Sequence, residues 1–227
     1  MSMTRAGGYK IDLHVHTSRY SPCSHLAPED LAALIPDSGL DGIVISEHDW
    51  QWSPDEIKGL QESVEHVRLY SAVEVSLAEG HFLVVGMTHE GAFDPNLSLR
   101  DLSDRARQDN AALIWAHPGR FGGTSIEPGL VDAVEVMSFN IKGKQTRLIR
   151  ENHQKLRVPA VAASDSHRPI SLGTYATLFP RLPSSEQELA GMIRSSEGVP
   201  WANEQQLTLL NDQISSTEEK YLVKSPV

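Results

Sequence analysis

Cysteine is nearly absent: among 227 residues only Cys23 carries a thiol, so no internal disulfide framework can form. That fits a reducing compartment. No apolar run approaches the roughly 18–20 residues needed to cross a bilayer, and residues 1–10 lack the apolar core of a secretion signal. A cytoplasmic protein with no membrane partner is therefore expected. Positive charge is also in deficit, with 20 Lys+Arg against 30 Asp+Glu and a net charge of −10. General binding of duplex nucleic acid is not expected from such a chain, because it calls for a basic face. A nucleotide substrate stays open, since bound divalent metals reverse the sign of the field inside a pocket.

What the chain does have is an alternation of short β-branched runs with longer amphipathic stretches, the pattern of βα units. Strands are expected at 9–15, 41–46, 68–75, 81–86, 111–116, 131–136, 158–164 and 176–179. Helices are expected from Pro28 to Gly39, over 54–66, 99–110, 144–156 and 185–196. Pro28 suits a first helical turn, with Glu29 and Asp30 behind it and Gly39 at the stop. Ser53 with Glu56, and Ser185 with Glu188, have the spacing of a capping box. No repeat or linker interrupts the series. One barrel domain over 1–200, followed by a peripheral tail at 201–227, is the economical reading.

The chemistry lies in where histidines and acids fall relative to those strands. His14 and His16 alternate at period two, so both point to one face of a strand end. His48 closes the second strand, Glu74 the third, and His81 opens the fourth. His117, then Asp165 and His167, follow two later strands. Most of these positions are strand C-terminal ends, the face where parallel α/β barrels assemble active sites. Imidazole and carboxylate donors suit zinc, manganese or iron, and the lack of cysteine argues against an all-thiolate site. Eight donors are too many for one ion. Glu74 ends an apolar strand, where an unpaired carboxylate is costly to bury, so a cation is expected beside it. A carboxylate can bridge two cations; two divalent metals are natural and a third is conceivable. Two metals roughly 3.5–4 Å apart would generate a bridging hydroxide and clamp the oxygens of a displacement at phosphorus.

Around these donors, Asp12, Glu47, Asp49 and Ser166 are placed either to bond the free nitrogens of ligand histidines or to serve as ordinary turn and cap residues. Arg19, Arg120 and Arg168 each follow a motif and are placed to reach a phosphate oxygen; Arg120 and Arg19 are the preferred two. Trp50 and Trp52 suit packing more than stacking on a ligand, and His66, His89 and His153 read as surface histidines.

The ordered series His-x-His (14–16), Glu-His-Asp (47–49), Val-Glu-Val (73–75), His-Phe-Leu-Val-Val-Gly (81–86), Ala-His-Pro (116–118) and Ser-Asp-Ser-His (164–167) resembles the PHP (polymerase and histidinol phosphatase) superfamily. The resemblance covers roughly residues 9–180. It implies a distorted (β/α)7 TIM-like barrel that carries two or three divalent metals and hydrolyses phosphoesters. By that resemblance His14, His16, Glu74 and Asp165 match ligands of one metal. Glu74, His81 and His117 match a second, with Glu74 bridging, and His48 and His167 a third. The third site usually takes an Asp or His near Ser21 or Pro22, and this chain departs there, leaving Cys23 or His25 as replacements.

The function expected is cleavage of a small-molecule or nucleotide-like phosphate ester by a hydroxide between the metals, with Asp165 or His48 relaying a proton to the leaving alkoxide. One alternative is an amidohydrolase-like enzyme cutting a C–N bond. Those barrels commonly add a modified lysine at a strand end, whereas Lys10 is the only lysine before the first motif. Another is a regulatory module without turnover, against which the retained ligands weigh. Substrate choice is assigned to the loops at 18–27, 89–97 and 121–130. Monoester or diester, native metal and oligomeric state stay open.

Overall fold

Short β-branched runs flanked by turn residues pair into one large sheet in the computed structural model, which describes residues 7–94 and 96–213. The strands are β1 (Tyr9–Val15), β2 (Gly42–His48), β3 (Trp50–Gln51), β4 (Arg68–Leu77), β5 (Gly80–Val85), β6 (Gly91–Ala92), β7 (Ala112–Trp115), β8 (Ala133–Met137), β9 (Ala160–Ala162), β10 (Tyr175–Phe179) and β11 (Val199–Ala202). Nine of them form a sheet in the order β11-β10-β1-β2-β4-β5-β7-β8-β9, and β3 pairs with β6 outside it. Beyond β9 the chain returns to β1: His16 N–H donates to Ser166 O at 2.9 Å and Ser166 N–H to His14 O at 3.2 Å. Thr177 stitches the same seam, its hydroxyl accepting from Ala162 N–H and donating to Ala162 O. The sheet is thereby nearly closed into a barrel.

The strands are not all parallel. β1, β2 and β4 run together, as do β7, β8 and β9. β5 runs against both its neighbours, and β10 against β1 and β11. The reversal of β5 explains why His81 lies near the start of its strand while His14, Glu74 and His48 lie in the later part of theirs, although β4 runs on past Glu74 to Leu77. The β4–β5 hairpin pairs His81 with Ser76, two residues beyond Glu74, so a strand start and a strand end share one barrel rim.

Among the described residues six α-helices, α1 (Leu31–Ser38), α2 (Pro54–Ser63), α3 (Leu99–Gln108), α4 (Thr146–Leu156), α5 (Glu186–Arg194) and α6 (Glu204–Gln213), accompany the sheet. Leu31 and Ile35 of α1 and Ile57 of α2 pack on Ile43, Ile45 and Leu69. Leu99, Leu102 and Ala106, at helical spacing on α3, join Phe82, Leu113 and Val134 with Ile149 and Leu156 of α4. Leu189, Ala190, Met192 and Ile193 of α5 cluster instead with Val44, Ala72, Leu83, Ile114 and Val161. Among the described residues no helix is long and apolar enough to cross a membrane.

The Ser53–Glu56 capping box forms in full, with Ser53 N–H donating to Glu56 Oε2 at 2.9 Å and Glu56 N–H to Ser53 Oγ at 3.3 Å. At Ser185 only half forms. Its hydroxyl caps Glu188 N–H, while the Glu188 carboxylate is taken by Ser184 N–H and Oγ. The helix expected to reach residue 66 stops at Ser63, where Val64 turns extended and His66 becomes left-handed. The boundary drawn after residue 200 falls inside β11, whose Ala202 pairs with Tyr175, and Leu207 of α6 is fully buried. The rest of that expected tail, 214–227, lies outside the described residues.

Candidate metal centre

One end of the barrel gathers all eight expected donors. His14, His16, His48, Glu74, His81, His117, Asp165 and His167 make up four overlapping groups, within each of which the ligand atoms lie inside 4.8 Å of one another. The groups are His14–His117–Asp165, His14–His16–Glu74, His48–Glu74–His81 and His16–His48–His167. His14, His16 and Glu74 are fully buried and His117 and Asp165 nearly so, whereas His48, His81 and His167 are partly open to a cavity. The cluster is closed on the β1 side and accessible opposite.

Local backbone irregularity aims these side chains. Simple alternation would put His14 on the face opposite Leu13. Yet Ile11 and Leu13 share a buried cluster with Val44 and Ala72, which lie on the strand faces that carry His48 and Glu74. The register slips between Asp12, paired with Ile43, and Val15, paired with Ile45. That bulge turns His14 and His16 onto the inner face. His117 and Asp165 hold left-handed backbone at φ 26° and 51°, a conformation that costs energy outside glycine and recurs at functional sites.

A hydrogen-bond chain fixes which ring nitrogens are free. Glu135 Oε1, 3.1 Å from His14 Nδ1, takes that nitrogen's proton and leaves Nε2 as a lone pair. Ser21 Oγ donates to Glu47 Oε2 at 2.6 Å, so toward His16 Nδ1, 3.3 Å away, it can only accept. His16 Nε2 is therefore also a lone pair. The two Nε2 atoms face each other at 2.9 Å. Glu74 Oε2 stands 3.2 Å from His16 Nε2 and 2.8 Å from His48 Nδ1, and Asp165 Oδ1 stands 3.3 Å from His16 Nε2. Both oxygens are buried and accept no aligned hydrogen bond among the described residues. Lone pairs converging in a dry site repel unless a cation lies among them. The donor set therefore fits divalent metal.

Protons are the alternative occupants. Burial opposes charge on His14, but the Asp165 and Glu74 carboxylates outweigh it and raise its proton affinity well above the ordinary imidazole value. His16 is raised for the same reason. Burial likewise opposes charge on Asp165 and Glu74, and the facing imidazoles hold both carboxyls below their usual range. His167 goes the other way: burial and the neighbouring His16 lower it to about 4, leaving a neutral ring.

Other expected residues fall differently. Arg120 lines the cavity and its Nη1–H donates to Asp165 Oδ2 at 2.9 Å. Arg168 lines it too. Arg19 does not join the cluster; it bonds Glu56 at 3.0 Å and lies over the Trp52 ring. Trp52 is buried and donates to Glu47 Oε1 at 3.0 Å, while Trp50 stacks on Tyr20. Lys10 sits 4.3 Å over the Trp201 ring, near the other end of β1. Cys23 lines the cavity, but neither Cys23 nor His25 joins the 4.8 Å groups. Asp12 accepts from Ser164 N–H and His14 N–H, and Asp49 from Ser76 N–H; Ser166 bonds Arg168 O and Ser171 Oγ. None of the three bonds a ligand ring nitrogen, and Glu47 reaches His16 only through Ser21. Of the three loops assigned to substrate choice, 89–97 contributes none of its described residues to the cavity, whereas 139–140 and 167–171 line it.

Glu135 and Asn140 are the residues missed. Glu135 is fully buried and also accepts from His117 N–H at 2.7 Å, tying two donors together. Its signal was present: Val134-Glu135-Val136 repeats the pattern of Val73-Glu74-Val75, and the same cost of burying a carboxylate applies. Asn140 donates from Nδ2 to Asp165 Oδ2 at 2.8 Å and to Asp165 O at 3.1 Å, bracing the left-handed residue. Glu135→Gln is expected to weaken metal binding about 10–100-fold, because an amide can present N–H to His14 Nδ1 and move the ring proton to Nε2. Calorimetric titration of the chelated variant with Mn²⁺ or Zn²⁺ checks this, and unchanged affinity would remove Glu135 from the centre.

A loop beyond His117 depends on glycine. Gly122, at φ 73°, packs so tightly on the β4–β5 turn that a Cβ would meet Gly80 N at 2.5 Å and Ala78 O at 2.6 Å. Both contacts are backbone and cannot yield cheaply. Gly122→Ala is expected to cost about 2 kcal/mol or more, combining left-handed strain with the clash. Thermal unfolding measures it, and a shift under about 2 °C would show that the loop is not clamped.

A PHP-associated family model matches residues 143–197. No curated protein matches the chain. Among solved structures the chain is similar to PsfC from Pseudomonas syringae PB-5123, at 16% identity and TM-score 0.63 over 92% of this chain and 98% of that one. It is similar to endonuclease Q in complex with a 27-mer duplex carrying an abasic lesion at the active site, at 16% identity and TM-score 0.57. That alignment covers 82% of this chain and 56% of endonuclease Q, so this chain spans little more than half of it. A third likeness is to a Bifidobacterium adolescentis ATCC 15703 protein provisionally named a metal-dependent phosphoesterase, at 14% identity and TM-score 0.54 over 85% of this chain and 98% of that one. One expectation is corrected by these findings. Duplex nucleic acid cannot be set aside on net charge, because a protein of this fold is solved with a duplex at its active site. Net charge averages the whole surface, whereas a ligand meets the local field, here that of a rim bearing Arg120 and Arg168. In its nearly closed barrel, and in a PHP-associated match that takes in the last motif at 164–167, the chain resembles the PHP superfamily and has its fold.

Proposed function

We propose that this chain is a metal-dependent phosphoesterase whose centre is the eight-donor cluster at the barrel rim. The observation that carries the reading is the approach of His14 Nε2 and His16 Nε2 to 2.9 Å, beside two buried carboxylate oxygens without aligned hydrogen-bond donors among the described residues. Divalent metals held there would lower the pKa of a water and offset charge growing on phosphoryl oxygens. His14, His16, His117, Glu74 and Asp165 would form the buried half of the ligand set, and His48, His81 and His167 the half facing substrate.

Arg120 is fixed at the cavity by Asp165 and keeps further N–H groups for a phosphate oxygen. Of the two expected proton relays, His48 is the more open to the cavity, and it would relay a proton only in a centre whose metals leave it unligated. It is 27% exposed toward the cavity, whereas Asp165 has Oδ2 occupied by Arg120 and Asn140 and Oδ1 turned into the cluster. Arg19, committed to Glu56, is given no part in the reaction.

The test is chelation followed by addition of Mn²⁺, Zn²⁺ or Fe²⁺, assayed on p-nitrophenyl phosphate, bis(p-nitrophenyl) phosphate, nucleoside monophosphates and a duplex with an abasic site. Activity lost on chelation and restored by metal supports the reading. Full activity in metal-free protein overturns it.

A further inference from the structure

We infer that the ester accepted here carries a flat aromatic or heteroaromatic ring close to its phosphate; this rests on the phosphoesterase reading and specifies its substrate class. The cavity over the open half of the centre has a volume of about 620 Å³, within the range that encloses a small organic ligand. Its lining joins the metal-competent and cationic residues to Phe121, Phe139, Ile170 and Leu210, with Cys23 and Ser171 among them. Large apolar side chains are seldom left in water beside a charged cleft without a partner, and such patches mark binding surfaces. Among the described residues four large apolar side chains stand well exposed, and two of them, Phe121 at 48% and Ile170 at 46%, are at this mouth.

The apolar wall begins next to the chemistry. The Phe121 ring lies on His81, with centroids 4.7 Å apart and planes within 20°. The Arg120 guanidinium is 4.9 Å from the same ring and also bonds Asp165. The Phe121 ring thus touches both a metal-competent imidazole and the cavity arginine, so an ester bound at the centre would meet its first apolar contact beside the donors. The wall is held in place, because Gly123 N–H donates to Glu79 O at 3.0 Å and Gly122 fits against the β4–β5 turn.

The alternatives fit less well. A glycerol or sugar phosphate would turn hydroxyls toward Phe121, Phe139 and Ile170, and losing their water uncompensated is unfavourable. Asn140, the amide in the lining, has its Nδ2 committed to Asp165. A flat ring meets the planar Phe121 and Arg120 groups over its whole face or edge, and such contact adds to burial.

The experiment compares the metal-loaded protein on benzyl, cyclohexylmethyl and glycerol 3-phosphate. All three leave a primary alkoxide, so intrinsic reactivity differs little. Equilibrium binding of benzylphosphonate and methylphosphonate is measured alongside. The expected result is kcat/KM at least roughly tenfold higher for the benzyl ester than for either other ester, and benzylphosphonate binding roughly tenfold tighter than methylphosphonate. Phe121→Ala should shrink both ratios; Ile170→Ser, at a separate position, repeats the test if the first variant fails to fold. Equal rates and equal affinities in the wild type overturn the ring while leaving a phosphoesterase. Ring-selective phosphonate binding without hydrolysis of any ester keeps the ring site and overturns the phosphoesterase reading. Neither binding nor hydrolysis overturns both.

Discussion

Glu74→Gln is expected to lose bound metal and to cut phosphoester hydrolysis on the order of a thousandfold, about 4 kcal/mol of transition-state stabilisation. Glu74 is the hub of the cluster. Its Oε1 lies 3.0 Å from His81 Nδ1 and 2.9 Å from His117 Nε2, and its Oε2 lies 2.8 Å from His48 and 3.2 Å from His16. Four strands, β1, β2, β5 and β7, deliver those partners to a fully buried carboxylate, and two of the four donor groups include it. Glutamine keeps the volume, so packing is not the variable. What changes is charge, together with the replacement of one acceptor by an N–H₂ that would point at imidazole lone pairs or at a cation. Either contact is repulsive. Metal content measured by plasma mass spectrometry, beside kcat/KM on p-nitrophenyl phosphate, gives two independent readouts. A variant with full metal content and full turnover would remove Glu74 from the centre.

How much of this was legible in the sequence depends on whether a signal was local. Tyr9–Val15 was bounded correctly because its alternating run and flanking turns are self-contained, and the Ser53–Glu56 box needed only its own spacing. The eight donors could be read as a set because each sits beside an apolar run whose end is visible in one dimension. The bulge between Asp12 and Val15 was not legible, since a register slip is a property of two strands. The reversed direction of β5 was hidden for the same reason: only pairing with β4 and β7 shows that a histidine opening a strand shares a rim with residues closing theirs. Arg19 looked placed for phosphate by sequence distance from His16, but Glu56, 37 positions along the chain, holds it. Trp201 and Ala202 were read as the start of a peripheral tail because the stretch they open is polar; tertiary pairing with β10 makes them part of a strand, Val199–Ala202.

Stability is expected to depend on pH with opposite outcomes for chelated and metal-loaded protein. His14 and His16 bind protons more tightly in the folded chain than free imidazole does, because the Asp165 and Glu74 carboxylates outweigh the burial that opposes their charge. A folded value raised above the unfolded one contributes stability that is fully present below about pH 6.5 and lost as pH rises through the raised value. Asp165 and Glu74 are lowered, so their contribution is present above about pH 4–4.5 and lost as pH falls further. Chelated protein should therefore be most stable in weakly acidic solution and weaken toward pH 9. As the imidazoles shed their protons, Glu74 loses its counter-charge and Asp165 keeps that of Arg120 alone. Metal takes the place of those protons, so the loaded protein should not show the alkaline loss. At pH 9 and metal about 1,000-fold above its dissociation constant, ligand linkage contributes about 4 kcal/mol, or roughly 10 °C in Tm for a chain of this size. At pH 6 protons compete for the same nitrogens, and the gap should narrow. Differential scanning calorimetry of both forms from pH 6 to 9 reads it directly. A gap constant across that range would mean that metal displaces no protons, and the donors would then have to be residues other than His14 and His16.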